Sequence, residues 1–353
     1  MKPLHASPWR PLALLLLPIG CQPAASPPPP QTAPSPPAAY GPPPGWTYGP
    51  VAPAPPPNAT YPYPPPAPAP SPGMPTPAPA MPNANRPLLG PLLGPLAWQA
   101  EVRAVAKELV ANLSTDYQSR VAPVPIVFDP NPNDVNAFAS CDNNNAPFVA
   151  ATEGLLDAID AISQTRATDE LFGTQTYPAY ANQVAPAIAS RGGGSALLPA
   201  GIIPPAYLVD PRRISRAHEI FDETVAFTFG HELSHHYLGH TGCAMQNAAP
   251  LPQAIAQLGQ FLTSGPAAFN QPNEVAADNF GCRNTLDAGR ARSAVAYRWT
   301  EGGGLWLLDF FKYLSRAGGA TPLVSILLSH PDPSIRIPLV QAAATSWHLQ
   351  HPG

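Results

Sequence analysis

The sequence predicts an α+β fold: a small N-terminal sheet followed by a mainly helical C-terminal half. Three observations carry that expectation. Short apolar runs bounded by prolines or a polar turn cluster between residues 123 and 151. Apolar residues recurring three to five apart dominate the chain after residue 214. Strands therefore come early and helices late, instead of alternating as βαβ units would.

The elements follow in order. Residues 97–118 carry helix formers, with Val102, Val105, Leu109 and Leu113 at helical spacing. Residues 123–128 read as a strand held between prolines. Residues 136–140 and 147–151 form two more strands around a polar turn at 142–145. Residues 154–162 are expected to be helical. Residues 165–211, with several prolines and the run Arg191-Gly192-Gly193-Gly194, read as an inserted surface loop. Residues 214–240 lack proline and place Ile220, Phe221, Val225, Phe229 and Leu233 on a helical repeat. Helices are also expected at 253–262, at 273–286 with Asn273 as N-cap, at 304–314 and at 333–346.

Everything before residue 92 differs in kind. About half of the 54 prolines fall within residues 21–91, where Arg86 is the sole charge. Proline fixes φ and removes backbone donors, so this stretch is expected to be an extended, solvated tether. Ahead of it, Lys2 and Arg10 precede the apolar run of residues 12–19, which ends on Gly20-Cys21. Residues 1–20 thus read as an export signal, too short for a permanent membrane span. The Gly-Cys end resembles the lipobox of bacterial lipoproteins, whose cysteine is lipidated, although Pro18 stands where that motif usually has leucine. With Gln22 rather than aspartate next, lipoprotein sorting rules imply the outer membrane, facing the periplasm. Residues 92–353 remain as one globular domain. Its cysteines, Cys141, Cys243 and Cys282, are odd in number, so at least one stays outside any internal disulfide. A net charge of −4 gives no basic footprint for nucleic acid.

The chemistry concentrates in His231-Glu232-Leu233-Ser234-His235. On a helix, residues four apart stack on one face, so both imidazoles reach one metal ion while Glu232 reaches water beside it. A catalytic zinc needs a third protein ligand. His236 and His240 are expected about 140° and 180° away from the His231/His235 face of a continuous helix. A metzincin would need glycine at 238 and histidine at 241, where Leu238 and Thr241 stand. Two glutamates follow Glu232. Glu301 precedes three glycines, whereas Glu274 opens a helical run with Asp278 one turn on. Asp278 is placed to accept the second ring N–H of a ligating histidine.

The combination His-Glu-x-x-His with Glu274-x-x-x-Asp278 resembles the HtpX-like and CAAX-prenyl-endopeptidase family of zinc metallopeptidases. The likeness extends over roughly residues 98–344. It takes in Asn136-Ala137-Phe138-Ala139, similar to the family's strand beside its cleft, Gly154-Leu155-Leu156, and Ser329-His330-Pro331 with Arg336. The resemblance implies a zincin-like domain with one zinc ion on His231, His235 and Glu274. It implies Glu232 as the base, Asp278 behind the metal ligands, and an extended substrate on Asn136–Ala139. His330 and Arg336 are expected near the catalytic centre, as donors to an oxyanion or, for His330, as a latch on the metal. The implied activity is an exported, lipid-anchored endopeptidase acting on unfolded or misassembled envelope proteins. The alternative is a chaperone-like binding lipoprotein whose site is latched or idle. A third reading makes the proline-rich arm the working part, as a cell-wall anchor.

Overall fold

The structure is a computed structural model that describes residues 91–352 apart from 93, 191–192, 244–270, 293–297, 319–329 and 331. The expected signal, Cys21, the tether up to residue 90 and the helix at 253–262 lie outside the described residues. The described residues form a mainly helical α+β fold around one three-stranded sheet.

Two helices open it, α1 (Pro95–Ala111) and α2 (Thr115–Val121). A single helix was expected here, but Asn112 turns its Nδ2 onto the carbonyl of Glu108 and ends α1. The strands are β1 (Ile126–Asp129), β2 (Ala137–Cys141) and β3 (Pro147–Thr152), in the order β1-β3-β2. β1 begins only after Pro125, because neither Pro123 nor Pro125 has an N–H to give a ladder. β3 pairs parallel with β1 and antiparallel with β2, with Ala137 opposite Ala151 and Ala139 opposite Val149. The polar turn between β2 and β3 forms as expected: Asp142 Oδ1 accepts from the N–H groups of Asn144 and Ala146. Strand alternation sends Ala137, Ala139, Val149 and Ala151 into the main core, while Phe138, Phe148 and Ala150 join a smaller cluster on the other face.

From β3 the chain passes directly into α3 (Glu153–Phe172), capped by Thr152 Oγ1 and ended by Gly173 at φ 64°. Then follow α4 (Thr176–Ile188) and a short α5 (Pro205–Leu208). The expected surface loop at 165–211 is therefore corrected: most of it is helix, and Tyr177, Tyr180, Ala181, Val184 and Ile188 are buried. Pro178 sits in the first turn of α4, where a missing N–H costs nothing. The other first-turn donors are met from α3, since Asp169 accepts from the N–H groups of Thr176 and Tyr177.

α6 (Pro211–Tyr237) is the central helix, packed against α1, α3, β2 and the first two of three C-terminal helices, on which the third packs in turn. These three are α7 (Gln271–Ala291), α8 (Gly302–Gly318) and α9 (Pro333–Gln350). Asn273 lies inside α7 rather than capping it, because Pro272 is accommodated in the first turn. Cys141 and Cys243 form a disulfide that ties the end of β2 to the chain beyond α6, and Cys282 is a buried free thiol. Among the described residues no helix is long and apolar enough to cross a membrane.

Candidate metal centre

The site forms where α6 crosses α7, and two glycines set how closely. A Cβ on Gly281 would stand 2.6 Å from the backbone nitrogen of His231, and one on Gly230 would stand 3.0 Å from the carbonyl oxygen of Gly281. At Gly281 any Cβ would force the backbones apart, and at Gly230 it would be a tight contact. That approach brings His231 and His235, one turn apart on α6, against Glu274 and Asp278, one turn apart on α7. All four are buried, as is Glu232.

His231 Nε2 lies 3.1 Å from His235 Nε2 and 3.4 Å from Glu274 Oε2, while His235 Nε2 lies 3.3 Å from Glu274 Oε1. Zinc bonds to nitrogen or carboxylate oxygen are about 2.0–2.1 Å long, so the edge of a zinc tetrahedron is roughly 3.3–3.4 Å. The three donors stand at that spacing. Glu274 Oε1 is buried and accepts no hydrogen bond despite its 3.3 Å approach to His235, and Glu232 Oε2 is likewise buried without a partner. Orphaned buried carboxylate oxygens are costly, and a cation among them offsets that cost. The residues fit a metal ion. A second donor group, His231, Glu232 and His330, shares His231, but its His330 Nε2–Glu232 Oε1 separation of 4.0 Å is wider.

Behind the donors, Asp278 Oδ1 accepts from His231 Nδ1 at 2.9 Å. Arg336 grips the same carboxylate with two nitrogens, Nε at 2.9 Å and Nη2 at 2.7 Å. Arg336 also lines the cavity beside Glu232, where a donor to substrate was expected, and it spends these two guanidinium nitrogens on Asp278. His330 reaches the site with Nδ1 2.5 Å from Glu274 Oε2. The cavity beside Glu232 is bounded by Ala137, Phe227, Leu308 and Phe311 and has a volume of about 20 Å³.

The electrostatics are suited to a cation. Burial lowers the basicity of His231, but the hydrogen bonds and charges of Asp278 and Glu274 outweigh it and push its pKa up to about 10. His235, buried and beside His231, is pushed down to about 3. Burial raises the Glu274 carboxyl, yet the close imidazoles of His231, His235 and His330 hold it far below the usual range. Burial likewise opposes ionisation of Asp278, and Arg336 with His231 overcomes it. Burial raises Glu232. The carboxylates that draw a proton to His231 are the same ones that draw a metal cation.

Of the expected substrate strand, Ala137, Phe138 and Ala139 lie on β2, an edge strand that pairs only with β3 among the described residues, and Ala137 lines the cavity. Asn136 precedes β2, fully buried, and its side-chain amide finds no hydrogen-bond partner among the described residues. His236 points away from the donors as expected, its Nε2 2.9 Å from the carbonyl of Phe148 on β3. His240 does not: its Nδ1 lies 3.1 Å from His235 Nδ1. The expectation treated 214–240 as one helix, but α6 ends at Tyr237 and Gly239, at φ 79°, turns the chain back. The readable signal was that glycine, two residues beyond the last helical position. No family model, curated protein or solved structure matches the chain.

Proposed function

We propose that the chain is a zinc metalloendopeptidase with a zincin-like catalytic domain. The observation that carries this reading is the spacing of His231, His235 and Glu274 beside an unpartnered Glu232 carboxylate oxygen. Two imidazoles and one carboxylate are a donor set suited to catalytic zinc, which keeps one position open. Zinc bound there supplies Lewis-acid polarisation of a carbonyl and a lowered pKa for water. Glu232, adjacent to a donor yet outside the set, takes a proton from water at its free Oε2 and passes it to the departing amine. Asp278, itself held by Arg336, keeps the His231 ring oriented with Nε2 towards the donor cluster. β2, which pairs only with β3 among the described residues, would offer main-chain groups to an extended substrate, which makes for loose side-chain specificity.

The test is a peptidase assay on full-length protein with its zinc content measured. Glu232→Gln should lose activity by roughly 10²–10⁴-fold while keeping zinc. Activity at the wild-type rate in that variant refutes the mechanism. One observation favours a second reading, a latched binding lipoprotein. The cavity beside Glu232 has room for about one water, and His330 sits on Glu274. In that reading His330→Ala raises cleavage; in the first, where His330 serves the reaction, it lowers it.

The cellular setting rests on sequence outside the described residues. The chain is proposed to be exported and lipid-anchored through Cys21 to the outer membrane, facing the periplasm and acting on unfolded or misassembled proteins. Cys21→Ala should release it into the soluble fraction, because one cysteine carrying several acyl chains anchors firmly. Full membrane retention of that variant refutes the anchor.

A further inference from the structure

His240 is the one histidine of the cluster that neither the helix geometry nor the zinc reading accounts for. Its position is built rather than incidental. The N–H of Gly239 donates to the carbonyl of His236 at 2.9 Å, and that of His240 donates to the carbonyl of His235 at 2.8 Å. This is the paired closure of a Schellman motif, with glycine at the left-handed position. It wraps the chain through nearly a full turn and returns His240 to the residue whose carbonyl it caps. Beyond it, Thr241 Oγ1 lies 3.1 Å from His236 Nδ1, Gly242 takes φ 67°, and Cys243 is bonded to Cys141 at the end of β2. The turn is thus fastened at one end by helix capping and at the other by a covalent bond to the sheet.

We propose that His240 is the positioning residue for His235, and that the Cys141–Cys243 disulfide holds it in place. The inference rests on the metal reading of the donor cluster. An imidazole that presents its Nε2 lone pair to a cation carries its proton on Nδ1. His231 has that N–H accepted by the Asp278 carboxylate. His235 has its Nδ1 facing His240 Nδ1 at 3.1 Å, with the two rings inclined at 67°. The bond is made when His235 Nδ1–H donates to the lone pair on His240 Nδ1, which sets the proton of His240 on Nε2. The two metal-facing imidazoles are then oriented in unlike ways, one by a charged carboxylate from α7 and one by a neutral imidazole from its own helix end. A neutral acceptor orients His235 without adding a third negative charge beside Glu274 and Asp278.

The test is zinc affinity of the full chain by competition with a chromogenic chelator, with folding checked by circular dichroism and Tm. His240→Ala should weaken zinc binding by about 10–100-fold, the usual loss when the partner of a ligating histidine is removed. His240→Asn, whose carbonyl oxygen takes the place of Nδ1, should recover most of that loss. The double variant Cys141→Ser/Cys243→Ser should weaken zinc in the wild-type background and add little in the His240→Ala background, since both act through one contact. Zinc binding by His240→Ala equal to that of a zinc-loaded wild type overturns the proposal, as does His240→Asn binding as weakly as His240→Ala at unchanged Tm. Fully additive losses overturn the disulfide's part. A wild type that holds no zinc overturns the donor set itself, and this inference with it.

Discussion

Asp278 is shared between His231 and the Arg336 guanidinium, and that sharing gives Arg336 a structural task. A carboxylate this deeply buried stays ionised only because Arg336 and His231 both donate to it. Removing one partner of a buried ion pair leaves a stranded charge, at a cost of about 3–5 kcal/mol. Arg336→Ala should therefore lower Tm and weaken zinc binding together. Arg336→Lys, which keeps the charge but loses the two-pronged grip, should fall between. Lower turnover with zinc affinity and Tm unchanged would return Arg336 to the role of a substrate donor. At this scale the sequence was explicit about the donors, because His-Glu-x-x-His needs only helical periodicity to bring both rings together. It was silent about the tie between Arg336 and Asp278, because which anion a guanidinium meets depends on how α9 packs on α7.

The crossing of α6 and α7 is fixed by Gly230 and Gly281. A methyl group on Gly281 meets backbone rather than a yielding side chain, so the helices must separate. Gly281→Ala should destabilise the fold by about 1–3 kcal/mol, as overpacking does, and weaken zinc by moving Glu274 from His231. Denaturant midpoints with zinc titration would show it, and wild-type values in both would mean that the crossing tolerates a side chain. Other elements show why reading local sequence failed where it did. In α4 the apolar spacing of Tyr177, Tyr180, Val184 and Ile188 was present, but Pro178 and Pro186 suggested a loop. The cap that makes the helix viable is Asp169 of α3, reached across a turn. In α6 the start and end were both marked locally, by Asp210-Pro211 and by Gly239. Overlooking the second hid His240.

Across the whole molecule, buried carboxyls outside the site set the response to pH. Glu223 is almost fully buried, and burial pushes its carboxyl up to about 7 against hydrogen bonds from Thr300 and the charge of Arg216. Burial raises Asp160 to about 6, and burial with the charge of Glu101 raises Asp222 to about 8. A carboxyl with a raised folded pKa contributes its full stability below its unfolded value and loses it as pH rises through the folded one. Stability should therefore decline between about pH 5 and pH 8. Glu223→Gln should flatten part of that decline, on the order of 3 kcal/mol for a shift from 4.5 to about 7. Chemical denaturation at several pH values measures it, and an unchanged slope in Glu223→Gln would mean that Glu223 is ionised in the folded protein throughout.

The sequence by itself determined the α+β class, the hairpin around Asp142, the α6 helix and the identity of the four residues His231, Glu232, His235 and Glu274. Each of these follows from local periodicity, turn chemistry or a donor pattern within one element, together with the short choice of remaining glutamates. Only the tertiary structure decided the pairing of Cys141 with Cys243 rather than Cys282, the tie between Arg336 and Asp278, and the return of His240 to His235. These depend on which helix faces cross and how closely. At Gly230 and Gly281 that closeness is set by the absence of two methyl groups, which becomes meaningful only once the helices meet.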